Sequence, residues 1–589
     1  MLNASFLFAA LCLLGLLLFF SGLPDLKNCA LPHGITASWK KPSRTLPESL
    51  PILCITVLYA VSAFWNLGNM RSPQSFTPME GKTAVFELSS PDPVSRIALF
   101  PGIGSGSYLL ECSDDAEGWF PLDSFAQDHV AVLKWSLVTL DFPYSFRYFR
   151  IVCSSGSPWL GEIALQNVNG DNLPLITSDT CLCDEQDLVP DSANFLNSSY
   201  FDEIYHVRTA WEHLNDIWPY EISHPPLGKE IISLGILLFG MTPFGWRFCG
   251  TLSGVLMLPL MYLFVKRMLG SCRVAVLSAV LLAAGFMHYV QTRIATVDSF
   301  AVLFILLMFY FMYGWLSTGS MKELALSGVF FGVGAACKWT CLYAGAGLAI
   351  LWVAYWVICF VRDGKKVLQA FLKNVLFCML FFLILPAFIY YLSYLPYGKA
   401  EGVSLFSRDY TAMVLENQRF MFQYHASIVA EHPYSSRWYQ WMLNLRPILY
   451  YLEYLPDGKR VSIAAFVNPL ICWGGLLCVP VLLYVSFRRR EWTAAFLMVA
   501  YLSGLLPWVF ITRLTFEYHY FASSLFLVPM LAYVFWLIEN NTVHGKTFTA
   551  CFSTVSAVLY ICFFPVLNGL PIDNLLGSKL LGWLPSWPI

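Results

Sequence analysis

From residue 246 onward the chain is a succession of apolar runs, at roughly 246–265, 272–290, 297–316, 323–341, 342–361, 368–394, 464–487, 492–511, 516–538 and 548–565. Runs near twenty residues long cross the hydrocarbon of a bilayer as α-helices, because backbone groups there must satisfy one another. Two earlier runs, 4–22 and about 50–67, bring the expected number of spans to about twelve. No basic stretch precedes the first, so it reads as a retained helix and not a cleaved leader. With 57% hydrophobic residues, 13% charged residues and a mean hydropathy of +0.59, a soluble globule is excluded. A net charge of -2, with basic residues scattered in small clusters, argues against a nucleic-acid partner.

Those clusters set the expected topology. Lys27, Lys40, Lys41 and Arg44 follow the first run, which assigns their loop to the cytoplasm and starts both the amino terminus and the chain after Asn69 on the outside. Alternating onward then puts Lys266-Arg267, Lys322, Arg362 with Lys365 and Lys366, and Arg488 to Arg490 in the cytoplasm, although none was used to set the register. The expectation is a multi-pass protein, in the plasma membrane if the source is bacterial, with its long polar segments extracytoplasmic. Its parts would be two helices in 1–69, a β-rich segment in 70–180, an outer loop with interfacial helices in 181–245, spans in 246–394, a second outer loop in 395–463, and spans with a tail in 464–589.

Between about 76 and 175 short alternating runs (TAVFEL, RIALFPG, SYLLECS, WSLVTLDF, FRYFRIVCS, GEIALQNV) are separated by turn residues, an all-β sandwich signal. The order Val94–Leu99, Glu111–Asp115 with Trp119, Arg147–Ile151 and Gly161–Ile163 resembles discoidin-like (galactose-binding-like) jelly rolls. That resemblance implies either sugar binding from the loops or a spacer role. The seventeen cysteines show no zinc-type pairing; Cys337, Cys378 and Cys472 lie in apolar runs as small hydrophobes, whereas Cys112 and Cys153 are candidates for a disulfide in an oxidising compartment.

The stretch Tyr200–Glu230, YFDEIYHVRTAWEHLNDIWPYEISHPPLGKE, carries the adjacent acids Asp202 and Glu203. Three readings are open for them: a solvated surface, a general base beside a cationic pocket, or a metal site with His206, whose spacing fits no template. The prolines of His224-Pro225-Pro226 hold an extended backbone, so Lys229 stands where the next helix begins. Arg293, Asp298, Lys338, Arg513, Glu517 and His519 fall at helix ends on the same expected side. Each has a bland explanation as an ion pair, a snorkelling side chain or an interhelical donor. Together, with a Tyr-, Trp-, Arg- and His-rich segment from Tyr397 to Ala464, they suit an outward polar cavity that holds a lipid phosphate. If the phosphate leaves, cations stabilise its charge while a carboxylate takes the proton of the incoming hydroxyl, with no metal required.

These residues, Phe201-Asp202-Glu203, His224 to Lys229, the Arg293/Asp298 junction, Gly334 to Thr340 around Lys338, Tyr424-His425, His432 to Trp441 and Arg513 to Tyr520, resemble the protein O-mannosyltransferase family. The resemblance implies a GT-C multi-span architecture and a polyprenyl- or dolichyl-phosphate mannose donor, with inverting transfer to a hydroxyl on the extracytoplasmic face. It also implies Asp202 as base and Glu203 as its acceptor-binding neighbour. Arg293, Asp298, Lys338, Arg513, Lys229 and His519 would hold the donor, and His224, His425, Arg437 and Trp438 would line the cavity or meet the acceptor. No metal or cofactor is expected. Unlike eukaryotic members, this chain has no domain of MIR size in the second outer loop; it has instead the β-sandwich and one extra leading span. The acceptor is a protein Ser/Thr by resemblance, while a lipid or cell-wall glycan would use the same chemistry. Two other classes compete: a flippase for the lipid-linked sugar, which calls for inverted repeats that the sequence does not show, and an inert sugar-binding receptor. On the enzyme reading, deleting 76–175 is expected to leave chemistry on a simple acceptor intact.

Overall fold

The structure, a computed structural model, describes residues 46–89, 92–427 and 431–588. The expected run 4–22 and the basic loop after it lie outside these. The chain forms two compact units, one containing residues up to 65 with 222–228 and 250–589, the other 66–221 with 229–249. The helices used below are α1 (Leu46–Phe64), α2 (Glu203–Leu214), α3 (Leu227–Phe239), α4 (Pro243–Leu269), α5 (Cys272–Ala283), α6 (Phe286–Arg293), α7 (Asp298–Thr318), α8 (Met321–Cys337), α9 (Thr340–Asp363), α10 (Arg408–Ser427), α11 (Trp438–Met442) and α12 (Phe521–Asn541).

The first unit is helical. Among the described residues seven helices are long and apolar enough to cross a membrane, or eight if the bent pair α5 and α6 makes one span. The expected count of about twelve is not reached among the described residues, although the apolar runs from 246 onward lie mainly on helix. Two of the missing spans are the run 4–22, outside the described residues, and the run 50–67, which forms only the shorter apolar helix α1; three causes account for the others. The run 323–341 is the 17-residue α8; the runs 342–361 and 368–394 join in one 61-residue helical stretch, Thr340–Ala400; and 272–290 is broken by 57°. The break falls at Ala284-Gly285, which hydropathy reads straight through. Behind it α4 presents Gly250 and Gly254 to α6, where a Cβ on Gly254 would lie 2.5 Å from Thr292 Oγ1. Such small-xxx-small pairs let helices approach to backbone distance. A three-stranded antiparallel sheet, here β10 (Ile448–Tyr454), β11 (Lys459–Ala465) and β12 (Ile572–Asp573), completes this unit.

The second unit contains a β-sandwich. One sheet has the order β1 (Thr77–Pro78), β8 (Trp159–Asn167), β3 (Val94–Pro101), β6 (Ser136–Tyr144); the other runs β5 (Phe120–Gln127), β4 (Gly106–Ser113), β7 (Tyr148–Gly156), β2 (Thr83–Leu88), β9 (Leu175–Ile176). All pairings are antiparallel. In β2 the alternate residues Ala84, Phe86 and Leu88 turn inward, and they meet Ile97, Leu99, Phe149, Ile151 and Ile163 in one core. Period-two alternation is what buries one strand face and wets the other. The register separates the proposed disulfide partners: Cys112 stands opposite Phe149, and Cys153 opposite Tyr108. Four residues of strand, about 13 Å, lie between those positions, beyond the reach of a disulfide, and both thiols are free.

Candidate active site

The acid pair belongs to the second unit and sits on a constrained turn. Phe201 takes a left-handed backbone, φ +49°, which is unfavourable for a bulky residue. Asp202 follows as the N-cap of α2 and is half-buried, its carbonyl accepting the Tyr205 and His206 amides. The turn is held from both sides. Ser199 donates its amide to Leu133 O and its hydroxyl to Val132 O, while the Trp135 amide donates to Ser198 Oγ.

Glu203, expected beside the acceptor, has no exposed surface. Arg247, near the start of α4, grips it with two parallel bonds, Nε to Oε1 and Nη2 to Oε2, both 2.7 Å. The same guanidinium donates to Leu67 O, Phe195 O and Ser198 O, and its Nη1 and Nη2 have no surface to spare for solvent. Trp246 Nε1 and the Tyr200 amide also donate to Glu203 Oε2. A buried bidentate pair with every donor used locks geometry more than it adds stability. Sequence reasoning missed Arg247; in GWRFCG it reads as one interfacial cation at the mouth of a span.

Lys229 is likewise fully buried, paired with Glu221 and donating to that residue's carbonyl at 2.8 Å. It lies beside His213, whose imidazole is held down at about 3 by burial and then by the Lys229 charge. Lys229 thus ties the start of α3 to the segment that follows α2.

The first unit gathers most of the other expected residues. Lys338, in extended backbone just past α8, donates to Asp298 Oδ1 at 2.7 Å and lies 5.7 Å from the centre of the Tyr518 ring. His519 packs among Trp441, Trp508 and Tyr518, close enough to Lys338, Arg513 and His224 for their charges to act on it. The rings of His224 and His425 meet edge to face at 5.4 Å, and His425 Nε2 bonds Ser223 O at 2.8 Å. Burial, then the charges of His224 and Arg513, hold the His425 imidazole down at about 4, so it is neutral at pH 7. The segments that carry these groups are stitched together: the Ser436 amide donates to Thr515 O, Thr515 Oγ1 donates to Ser436 O, and Arg437 Nη1 donates to Thr512 O at 2.8 Å. Trp438 is buried at the start of α11.

Arg293 is placed differently. Its guanidinium donates to Ala63 O and Trp65 O and lies over the Tyr289 ring, capping the carboxyl end of α1. Among the described residues one acidic group has metal-like spacing: Glu162, Asp184 and Glu185, whose carboxylates converge within 4.8 Å in the second unit. Burial pushes the Glu162 carboxyl up to about 8, and its Oε2 accepts the Glu185 amide.

Residues 223–391 match the family described as dolichyl-phosphate-mannose-protein mannosyltransferase, and residues 410–587 match the C-terminal four TMM region of protein-O-mannosyltransferase. A polyprenol-phosphate-mannose--protein mannosyltransferase of Mycobacterium tuberculosis is 26% identical over 458 residues, 66% of this chain and 86% of that protein. One of the same name from Corynebacterium glutamicum is 25% identical over 474 residues, 67% of this chain and 89% of that protein. Among solved structures, the S. cerevisiae protein O-mannosyltransferase Pmt1-Pmt2 complex bound to the sugar donor aligns over 66% of this chain and 89% of that chain. Its TM-score is 0.59 at 13% identity, a likeness of fold.

Proposed function

The chain belongs to the protein O-mannosyltransferase-like family of GT-C membrane glycosyltransferases, and on that premise we propose that it moves mannose from a polyprenyl phosphate to a protein hydroxyl. The observation that carries the reading is the grouping of Lys338, Arg513, His224, His425 and His519, in which Lys338 is paired with one acid, Asp298. Two permanent cations against one carboxylate leave positive charge for a phosphate.

In the proposed reaction the acceptor oxygen bonds to C1 of mannose on the face opposite the phosphate. The C1–O bond to phosphate breaks, its electrons stay with the leaving polyprenyl phosphate, and the configuration inverts. Asp202 takes the hydroxyl proton. Lys338 and Arg513 match the charge gained by the phosphate. Glu203 and Arg247 are positioning residues that hold the turn bearing Asp202, and Lys229 supports the same helix from its buried pair with Glu221. The basic loops of the sequence support an extracytoplasmic site.

Asp202→Asn tests the assignment in membranes supplied with labelled polyprenyl-phosphate mannose. Transfer is expected to fall by at least about 100-fold, the low end of what general bases contribute, while donor binding persists. Transfer at the wild-type rate in that variant refutes the role of Asp202.

A further inference from the structure

Along its first three turns α2 buries Glu203, Ile204, His206, Val207, Thr209, Ala210, Glu212 and His213. What remains at the surface is one stripe at three-residue spacing: Asp202, Tyr205, Arg208 and Trp211. Residues three apart share a helix face, so Tyr205 is the next side chain along from the acid. Its ring is nearly parallel to that of Tyr220, 3° between planes and 6.3 Å between centres, on the segment after α2. His129 of the β5–β6 connection also stacks with Tyr205, at 6.5 Å and 23°. Tyr220 and His129 are exposed and Tyr205 is half-buried.

This row is braced by Arg208 and Glu212. Arg208 lies 3.9 Å from the centre of the Tyr220 ring and bonds Glu212 at 2.7 Å. Glu212 in turn accepts the Tyr220 amide at 2.6 Å, so both the backbone and the ring of Tyr220 are held. A braced, solvent-facing aromatic row that begins one helical turn from a general base is a preorganised surface for whatever brings the hydroxyl.

We propose that Tyr205, Tyr220 and His129 form the acceptor shelf, and that its occupant is an extended polypeptide lying along α2 with its hydroxyl residue at Asp202. This rests on the transferase reading above. Two features favour a polypeptide. Side chains i and i+2 of an extended chain share a side about 6.6 Å apart, close to the ring steps of 6.3 and 6.5 Å. The charged groups beside the shelf, Arg208 and Glu212, are already paired with each other, so the rings are what the shelf offers; that suits apolar or proline side chains. The sandwich, through His129, then contributes to acceptor choice.

The test uses the full-length protein in detergent with two synthetic acceptors, a Thr flanked by Pro, Ala and Val and the same Thr flanked by Gly and Ser. Wild type is expected to favour the first. Tyr205→Ala and Tyr220→Ala are expected to raise the acceptor KM about tenfold and erase that preference, with the donor KM unmoved, whereas Tyr220→Phe stays near wild type. Unchanged acceptor KM and preference in both alanine variants overturn the shelf; so does a wild type that prefers a mannosyl oligosaccharide to either peptide. Binding without turnover separates this inference from its premise, using fluorescent peptide on the Asp202→Asn protein. Binding lost with the shelf alanines, in a chain whose wild type transfers nothing, overturns the transferase reading and upholds the shelf; binding kept in those alanine variants overturns the shelf alone.

Discussion

Arg247 shows how one side chain sets the state of another that it does not resemble in the sequence. Its five N–H groups are distributed over Glu203, Leu67 O, Phe195 O and Ser198 O, a pattern that only a planar fork can satisfy. Arg247→Lys keeps the charge and loses most of those bonds, and Glu203→Gln keeps the shape and leaves a buried guanidinium without its anion. Breaking such a pair costs about 3–5 kcal/mol. Both variants are therefore expected to unfold at lower temperature and to lose kcat with little change in donor KM. A variant with wild-type kcat and melting temperature counts against the positioning role. The acids themselves were legible as an adjacent pair in a polar stretch. That Glu203 is fully buried in an ion pair while Asp202 stays half-buried was not, because it depends on a partner 44 residues away and on the left-handed backbone of Phe201, neither of which leaves a mark in the local pattern.

At the scale of elements, six strands of the sandwich were readable because they carry buried apolar residues, alternating in β2 and nearly continuous in β3 and β8. Strand β5 was not: FPLDSFAQ sits mostly exposed and carries no apolar face to announce it. Bends behave similarly, since the 57° break between α5 and α6 lies inside one apolar run. The sandwich also carries a measurable pH signature. The Glu162 carboxyl on β8 is raised by burial from an ordinary 4.5 to about 8, so between those values the folded state keeps a proton that the unfolded chain has lost. Stability of the sandwich is expected to fall as pH rises through that window and to level off above it. Glu162→Gln should flatten the slope, read by hydrogen exchange of β8 in the intact protein; an identical slope in the variant rules out Glu162 as its source.

For the molecule as a whole, hydropathy marked the apolar helices because the bilayer imposes composition directly on sequence, while their breaks and mergers and the partition into two units were hidden. Residues 229–249 group with the sandwich and its following segment, and 222–228 with the spans, by contacts between residues far apart in the chain. Sidedness rests on the basic clusters and has a direct check. In a chain whose exposed cysteines are replaced by serine, an impermeant thiol reagent on intact cells is expected to label Ser124→Cys and to reach Lys365→Cys only after permeabilisation. The reverse order would invert the topology and move the transfer reaction to the cytoplasmic leaflet.

The bonds from Ser198 and Ser199 to residues 132–135 bear on any attempt to trim this protein. The β-domain looks like a detachable passenger in the linear order, yet the connection between its strands β5 and β6 is the abutment against which the segment bearing Asp202 rests. Excision of 76–175 would remove these bonds to the segment bearing Asp202 as well as His129, so the cut is expected to lower transfer even to a simple acceptor, and transfer at the wild-type rate after it would show that the abutment is dispensable. A graft onto a homologous scaffold would have to carry that abutment with it.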